Sequence, residues 1–120
     1  MRYAFADCVL DTDRYELCRT GELVQLQPKV YKLLSCLVQH AERLVTQAEL
    51  LEHGWPGAYV QPIAIARNIS EIRRAVGDRR ETQPVIQTLP RQGYRLVAPV
   101  TVLGTAAADS AATRERAVGH

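Results

Sequence analysis

Short apolar runs separated by turn-forming residues occupy the first 26 positions of the chain. The runs are RYAFA, CVL, YELCR and LVQL. The stretch DTDR and the dipeptide Thr20-Gly21 lie between them, and Asp, Thr and Gly are typical of the tight turns that join β-strands. The pattern therefore predicts an N-terminal antiparallel sheet of three or four short strands.

Helical spacing replaces the strand pattern after Gln27. In the next segment, apolar residues recur at intervals of three and four, which places them on one face of a helix. They are Val30, Leu33, Leu34, Leu37, Val38 and Ala41. Pro28 suits the first turn, where a backbone N–H has no helical partner in any case. Lys29 and Lys32 fall on the opposite side and are expected to be solvated.

Two further helices carry clear signals at their ends. Thr46 followed by Glu49 is a capping box, so a short helix is predicted over roughly 47–53, ended by Gly54. A longer helix is predicted over 62–76, with a proline at its first position and a glycine after its last. Its apolar face consists of Ile65, Ile69, Ile72 and Val76. Three helices are therefore expected to form the core.

A second β pattern follows the long helix. The runs PVIQTL and YRLVAPV flank the sequence PRQG, which predicts a β-hairpin over about 85–97. After Pro99 no core-forming pattern is visible, so residues 101–120 are expected to be a disordered tail or linker beyond a domain of residues 1–100. The order of sheet, three helices and hairpin predicts an α+β fold.

The long helix has a polar face opposite its isoleucines. Ile63, Arg67, Ser70 and Arg74 lie on that face, and the two arginines are two turns apart, about 10 Å along the axis. Arginines in a major groove can pair with guanine edges or with phosphates. Taken alone, however, the pattern is equally that of an ordinary solvated helix face, which is the more common case.

Two residues on the flank of this face have other predicted roles. Asn68 can read adenine if the helix rotates slightly. Glu71 is expected to pair with Arg67 or Arg74 in preference to accepting a hydrogen bond from cytosine.

Arg73 lies nearer the core edge of the same helix. Its position on the helical wheel favours a structural role over a DNA contact.

The distribution of charge adds a direction to this pattern. The formal net charge of the whole chain is only +2, too small by itself to indicate a nucleic acid. Residues 61–95, however, contain seven arginines and three acidic residues, a net charge of +4. Segregated positive charge of this kind is typical of a surface that meets a polyanion.

Four stretches of the sequence contain these elements in order. They are FADCVLDTDRYELCRTGELVQLQPKVYKLLSCLV, LVTQAELLEHGWPG, IARNISEIRRAVGD and VIQTLPRQGYRLVAPV. Together they resemble the winged-helix DNA-binding domain of the OmpR/PhoB-type transcription regulators. The resemblance implies a winged helix-turn-helix fold, with an N-terminal antiparallel sheet, a three-helix core and a C-terminal hairpin, the wing. The sequence of these stretches is more similar to the subgroup of the family that is fused to membrane or signalling modules than to the two-component response regulators.

The resemblance also implies roles for particular residues. The long helix would enter the major groove of double-stranded DNA, and the wing would reach the adjacent minor groove. The implied DNA-binding residues are Ile63, Arg67, Asn68, Ser70, Glu71, Arg74, Thr88 and Arg91. In the family, the loop before the long helix contacts RNA polymerase. The residues implied for that contact are Trp55, Gly57, Ala58 and Tyr59. The family pattern also gives Arg73 a structural role, paired with a carboxylate such as Glu49 or Glu52. Two copies are expected to bind direct-repeat half-sites.

Two positions depart from the family pattern. The wing turn, Pro90-Arg91-Gln92-Gly93, has an arginine where relatives often have an additional glycine. Arg91 is therefore selected as the minor-groove contact, because narrow minor grooves attract arginine. The long helix begins Val60-Gln61-Pro62, without the Ser, Thr or Asp cap common there, so a looser first turn is expected.

Other chemistries have weaker support in the sequence. If Cys8 and Cys18 faced each other on adjacent strands, a redox switch would be possible, although cytosolic cysteines are usually reduced. Cys36 and His40 have the spacing of metal ligands on a helix, without visible partners. No catalytic motif or glycine-rich phosphate loop indicates an enzyme, and neither a cofactor nor a metal is predicted.

The remaining expectations concern location and a competing function. The N-terminus lacks the apolar region of a signal peptide, and no apolar stretch is long enough to span a bilayer, so a cytoplasmic domain is expected. The alternative function is a winged-helix module for protein interaction without DNA binding. Gln92 and Glu71 on the presumed DNA-facing surface are its support.

Overall fold

Two antiparallel sheets and three helices make up the fold seen in a computed structural model, which describes residues 1–79 and 81–104. The elements are β1 (Arg2–Phe5), β2 (Cys8–Asp11), β3 (Glu16–Arg19), β4 (Glu22–Val24), α1 (Pro28–Gln39), β5 (Val45–Thr46), α2 (Gln47–Gly54), α3 (Ile63–Val76), β6 (Ile86–Leu89), β7 (Gly93–Leu96) and β8 (Val100–Gly104). The α+β class, the N-terminal sheet, the three helices and the C-terminal hairpin are confirmed.

The N-terminal sheet has five strands in the order β4-β3-β2-β1-β8, all antiparallel to their neighbours. Its inner face packs on the helices through Phe5, Leu10 and Leu17, which are at most 2% exposed. Strands of three to five residues are stable here because one face is covered by the helical core.

The fifth strand corrects the expected end of the domain. Val100–Gly104 pairs with β1, so that Val100 lies opposite Phe5 and Val102 opposite Tyr3. The prediction that an unstructured tail begins at residue 101 was therefore wrong for its first four positions. An edge strand is held by backbone hydrogen bonds to its neighbour, which leave little mark on the apolar pattern. Residues 105–120 lie outside the described part of the chain.

The helices bury the faces that their spacing predicts. In α3 the buried residues are Ile65, Ile69, Ile72 and Val76, and in α1 both Leu33 and Leu34 are fully buried. Both helices contribute to one aliphatic core with the N-terminal sheet and the hairpin. Burial of these aliphatic side chains is the main stabilising contribution to the fold.

The helix ends also follow the predicted signals. The Thr46 hydroxyl accepts a hydrogen bond from the Glu49 backbone N–H at 3.1 Å, and the Glu49 carboxylate accepts one from the Thr46 N–H at 3.1 Å, which completes the capping box. At the end of α3, Gly77 adopts a left-handed φ of 72° that glycine tolerates best. The side chain before α3 makes no cap, as expected from Val60-Gln61-Pro62.

The wing sheet has one strand more than the predicted hairpin. β6 and β7 pair in the register Ile86 to Leu96 and Leu89 to Gly93, and the two-residue strand β5 adds to the other side of β7. Gly93 is required at this crossing, because a Cβ atom there would collide with the Val45 carbonyl oxygen. A two-residue strand has no periodicity that sequence patterns could reveal.

The strand register overturns the idea of a Cys8–Cys18 pair. Cys8 lies opposite Arg19, whereas Cys18 lies opposite Val9, so the two thiols point to opposite faces of the sheet. Cys8 is buried, and its burial together with the nearby Asp7 carboxylate raises the thiol pKa to about 12. A thiol in that environment is a poor nucleophile and a packing group.

Candidate nucleic-acid interface

The surface that α3 turns away from the core carries the predicted contact residues. Ile63 is 57% exposed, the Arg74 side chain is 77% exposed, and Arg67 and Ser70 are exposed between them. The four side chains share this surface because the helix buries its isoleucines on the other side. We call Ile63, Arg67, Ser70 and Arg74 the polar face of α3. A single exposed aliphatic side chain such as Ile63 is common on protein surfaces and does not by itself mark a contact.

The two arginines of the polar face differ in their surroundings. Arg74 Nη1 lies 3.3 Å from Glu71 Oε1, which confirms the favoured pairing of Glu71 within the helix. Within residues 1–79 and 81–104, the guanidinium of Arg67 has neither a hydrogen bond nor an ion pair. Arg67 therefore presents its full set of donors to solvent, and Arg74 presents part of its own.

Asn68 lies at the border of the polar face and is only half-exposed. Its side-chain nitrogen donates to the Ala64 carbonyl oxygen at 2.8 Å. Reading adenine through both amide atoms would require this hydrogen bond to rearrange. Asn68 therefore remains a predicted DNA contact, and its hydrogen bond to Ala64 competes with that contact.

Arg73 has a structural role, but not with the predicted partners. Its Nη2 atom donates to the Ile86 carbonyl oxygen at 3.1 Å and to Thr88 Oγ1 at 2.6 Å. Its Nε atom lies 3.8 Å from Asp78 Oδ2. The expected pairing with a carboxylate of α2 was wrong, because the side chain points to the wing instead of to α2.

Glu49, one of the partners expected for Arg73, is paired elsewhere. Arg43 precedes α2 in the chain, and its Nη2 atom lies 2.8 Å from Glu49 Oε2. The hydrogen bond from Arg43, with that from the Thr46 backbone, lowers the Glu49 pKa to about 2. The carboxylate is therefore occupied by the cap of its own helix.

The tip of the wing holds Arg91 in an exposed turn. The Gln92 backbone N–H donates to the Leu89 carbonyl oxygen at 2.9 Å, and Arg91 has a φ of 64°. Proline at the second position and a left-handed third position are the pattern of a type II turn. Glycine is the residue best suited to that third position. An arginine there has a conformational cost, because its side chain disfavours the left-handed backbone.

The loop between α2 and α3 contains the predicted polymerase-facing residues. Tyr59 is 90% exposed, and Gly57 and Ala58 are also exposed. Trp55 is half-buried, with Lys29 Nζ 5.4 Å from the centre of its ring. Tyr59 is thus the large apolar side chain that this loop offers to solvent.

Lys29 was expected to be merely solvated, and that expectation was wrong. Its ammonium group donates to the Gly54 carbonyl oxygen at the end of α2 and lies over the Trp55 ring. A cation at a helix C-terminus is favoured by the helix dipole and can satisfy a terminal carbonyl. The sequence contains no signal for this contact, because donor and acceptor are 25 positions apart.

Asp78 is a second residue that sequence reasoning missed. Its side chain is 3% exposed, and Oδ2 accepts hydrogen bonds from the backbone N–H groups of Val85 and Ile86, at 3.2 and 2.8 Å. The sequence shows a carboxylate directly after Gly77, which ends the helix. That position does not reveal which N–H groups donate to the carboxylate. Asp78 ties the end of α3 to the start of the wing.

The part of the chain that the structure describes contains neither a metal-ligand cluster nor a membrane-spanning helix. No group of three or more metal-binding side chains occurs there, so Cys36 and His40 remain without further ligands. No described helix combines the length and apolar character needed to cross a bilayer.

An N-terminal sheet, a helical core in which α2 and α3 are joined by a loop, and a hairpin beside α3 together define a winged-helix domain of the OmpR/PhoB type. The chain belongs to the family described as "Transcriptional regulatory protein, C terminal", whose model matches residues 21–96. That range runs from the turn before β4 to the last residue of β7.

Curated relatives of the chain are transcription regulators. The transcriptional activator CadC of Escherichia coli K12 is 33% identical over 86 residues, which are 71% of this chain and 17% of CadC. The transcriptional regulator HilA of Salmonella typhi is 33% identical over 102 residues, 85% of this chain and 18% of HilA. The chain therefore spans less than a fifth of the length of these two relatives.

Solved structures of DNA-binding domains have the same fold. The DNA-binding domain of E. coli CadC superposes with a TM-score of 0.72 at 27% identity, covering 83% of this chain and 94% of that domain. The DNA-binding domain of E. coli CpxR gives a TM-score of 0.71 at 29% identity, covering 81% and 96%. Each match covers nearly the whole of the solved domain.

Proposed function

We propose that this chain is the DNA-binding domain of a transcription regulator and that it binds double-stranded DNA in a sequence-specific manner. The observation that carries the proposal is the polar face of α3, exposed beside a wing, in a family of transcription regulators. In the proposed complex α3 enters the major groove and the wing lies along the neighbouring minor groove. No step in this function requires catalysis, a cofactor or a metal.

The polar face supplies chemistry suited to base edges. Arg67, free of internal partners among the described residues, can donate two hydrogen bonds to the O6 and N7 atoms of guanine. Ile63 can contact the methyl group of thymine, and Ser70 can bond to several bases. Arg74 keeps donors free beyond its pair with Glu71, and we assign it to the phosphate backbone.

The wing supplies contacts of a different kind. Arg91 projects from the turn at its tip, where the negative potential of a narrow minor groove would attract the guanidinium. Thr88 is exposed on β6 and its hydroxyl can donate to a phosphate. The wing would therefore contribute affinity and groove shape, and α3 would contribute most of the base preference.

Three further elements belong to the proposal. The loop residues Trp55, Gly57, Ala58 and Tyr59 would contact RNA polymerase, because an exposed Tyr59 beside an anchored Trp55 offers an aromatic surface. Two copies would bind direct-repeat half-sites. DNA binding also requires that the domain face the cytoplasm.

Titration of fluorescent genomic DNA fragments, followed by anisotropy at several salt concentrations, tests the proposal. Affinity should fall steeply as salt rises, because Lys and Arg contacts release counterions from DNA. Arg67→Ala should cost about 1–3 kcal/mol and relax the preference at one base position. The matched control is Lys32→Ala, which removes an exposed cation from α1 and should leave the base preference unchanged.

The same titration separates the alternative function. Absence of binding at low salt, or affinity that does not change with salt, would refute DNA recognition and favour a protein-interaction module. An equal loss for all sequences in Arg67→Ala would instead reassign Arg67 to a phosphate.

The wing contact has its own test in Arg91→Gly. Glycine relieves the left-handed strain at φ 64°, so the free energy of unfolding should stay the same or rise. Loss of a guanidinium that donates to minor-groove acceptors should cost about 1.5–3 kcal/mol of binding. A variant that is stable and binds DNA as tightly as the parent would show that Arg91 makes no contact.

A further inference from the structure

We propose that Arg73 is a positioning residue for DNA binding: its guanidinium orients the Thr88 hydroxyl toward a DNA phosphate and holds the wing in place against α3. The inference rests on the proposed DNA binding and adds a residue that does not itself touch DNA. It also assigns a function to the one arginine of α3 that the fold turns away from the polar face.

The first argument is the set of contacts that Arg73 makes across the helix–wing boundary. One nitrogen, Nη2, donates both to the Ile86 carbonyl oxygen at 3.1 Å and to Thr88 Oγ1 at 2.6 Å. Both acceptors lie on β6, while the donor lies in the last turn of α3. A charged donor makes these hydrogen bonds stronger than neutral ones. A single planar group therefore ties the last turn of α3 to β6.

The second argument is the buried carboxylate behind the guanidinium. Asp78 Oδ2 lies 3.8 Å from Arg73 Nε and accepts the Val85 and Ile86 N–H groups at 3.2 and 2.8 Å. The carboxylate balances the charge of Arg73, whose side chain is only 22% exposed, and it holds the backbone from which the wing starts. Asp78 thus holds both the Arg73 guanidinium and the start of the wing. Arg73 can therefore position the Thr88 hydroxyl.

The third argument is the chemistry of the Thr88 hydroxyl. A hydroxyl has one hydrogen to donate and two lone pairs to accept with. When the guanidinium donates to Oγ1, the hydroxyl hydrogen is directed away from Arg73, and Thr88 is exposed to solvent. Polarisation by the adjacent charge strengthens the outgoing hydrogen bond. An anionic oxygen is the acceptor that such a donor favours, and in bound DNA that oxygen belongs to a phosphate.

Arg74 provides the comparison within the same helix turn. Its side chain is 77% exposed and forms an ion pair with Glu71 on its own helix, so it can reach a phosphate directly. The Arg73 guanidinium is largely buried and already donates to two wing atoms. Direct phosphate contact therefore suits Arg74, and indirect action through Thr88 suits Arg73.

The experiment replaces DNA phosphates one at a time with uncharged methylphosphonates. A binding site is first selected from a random library by the unmodified 120-residue chain, and its dissociation constant is then measured for each replacement. One replacement near the wing should weaken the parent protein about tenfold, as expected for loss of a charge-assisted hydrogen bond. Thr88→Val, which keeps the shape of the side chain without its hydroxyl, should become insensitive to that replacement.

Arg73→Gln should become insensitive at the same phosphate although Thr88 is intact, whereas Arg74→Gln should keep that sensitivity. Arg73→Lys retains a charge without the planar fork and should give an intermediate loss. Unfolding in urea establishes that each variant is folded under the binding conditions, and Arg73→Lys carries the test if Arg73→Gln does not fold.

Two results would overturn the inference while leaving DNA binding intact. Full sensitivity at the Thr88 phosphate in the Arg73 variants would show that the hydroxyl needs no orientation. Loss of sensitivity at a second phosphate that Thr88→Val still senses would show that Arg73 contacts DNA itself. If the parent chain selects no DNA at low salt, both the proposed function and this inference fail.

Discussion

α2 and α3 are neighbours in the helix-turn-helix, yet they are stabilised in different ways. α2 has eight residues, of which only Leu50 and Gly54 are buried. Its N-terminus is closed by the Thr46–Glu49 capping box, with Arg43 on the same carboxylate, and its C-terminal carbonyl at Gly54 accepts from Lys29. A helix this short is marginal without such end contacts.

α3 has 14 residues and depends on its buried face. Four branched aliphatic residues are at most 1% exposed, while no side chain caps its first turn. Pro62 has helical backbone angles and its carbonyl oxygen accepts from Ile65 N at 3.0 Å, so Gln61 occupies the position of the cap without filling its role. Packing thus replaces capping in this helix.

The difference leaves the polar face of α3 free for the proposed recognition of DNA. Because α3 is stabilised by its isoleucines and anchored through Arg73 and Gly77 at its end, Arg67 and Ser70 contribute little to folding. Their side chains are therefore available for the proposed base contacts. In α2, by contrast, polar side chains at the termini hold the helix itself.

The largest effect on stability should appear when a buried isoleucine of α3 is truncated, in comparison with truncation of an exposed isoleucine of the same helix. Ile72→Ala removes a fully buried side chain and should lower the free energy of unfolding by about 2–5 kcal/mol. Ile63→Ala, at a 57% exposed position, should change it by less than about 0.5 kcal/mol. Urea denaturation measures both values.

DNA binding should rank the two isoleucine variants in the opposite order at temperatures where both are folded. Ile63→Ala should lose discrimination between thymine and deoxyuridine at one position, because deoxyuridine lacks the methyl group. Equal stability losses in the two variants would contradict the division of α3 into a packing face and a recognition face.

Intermediate effects are expected at the two helix N-termini. Thr46→Ala removes the cap of α2 and should destabilise the domain by about 0.5–2 kcal/mol. Gln61→Ser offers α3 a side-chain cap that it lacks and should stabilise the domain by about 0.5 kcal/mol. Thermal unfolding detects both signs, and a loss of stability in Gln61→Ser would mean that the first turn of α3 cannot accept a cap.

The smallest effect should appear as a dependence on acid pH. The hydrogen bonds from Arg43 and Thr46 lower the Glu49 pKa to about 2 in the folded chain, against an ordinary value near 4.5. A lowered folded pKa means that the stabilisation is present above pH 4.5 and is lost as the pH falls toward 2.

Glu49→Gln tests the acid dependence directly. The difference in stability between the parent chain and Glu49→Gln should shrink as the pH falls through that range. A difference that stays constant with pH would show that the Glu49 charge does not contribute to the cap.

Local patterns in the chain predicted most of the fold and the outline of the site. Helical spacing located the buried face of α3, and Thr46 with Glu49 located the start of α2. These features depend on residues a few positions apart, so their physical causes, side-chain periodicity and capping, are contained in short stretches of sequence. The exposure of Arg67 follows from the same periodicity.

What only the tertiary structure decided are the contacts between residues far apart in the chain. Arg73 donates to residues 13 and 15 positions away, and Lys29 to one 25 positions away. β8 joins an edge of the N-terminal sheet that begins at residue 2, and the register of β2 with β3 separates the two thiols. Sequence by itself determined which face of α3 is buried, because periodicity is local. The partners of Arg73 and Lys29 required the fold, because several acceptors were within possible reach and only packing brings one of them to the donor.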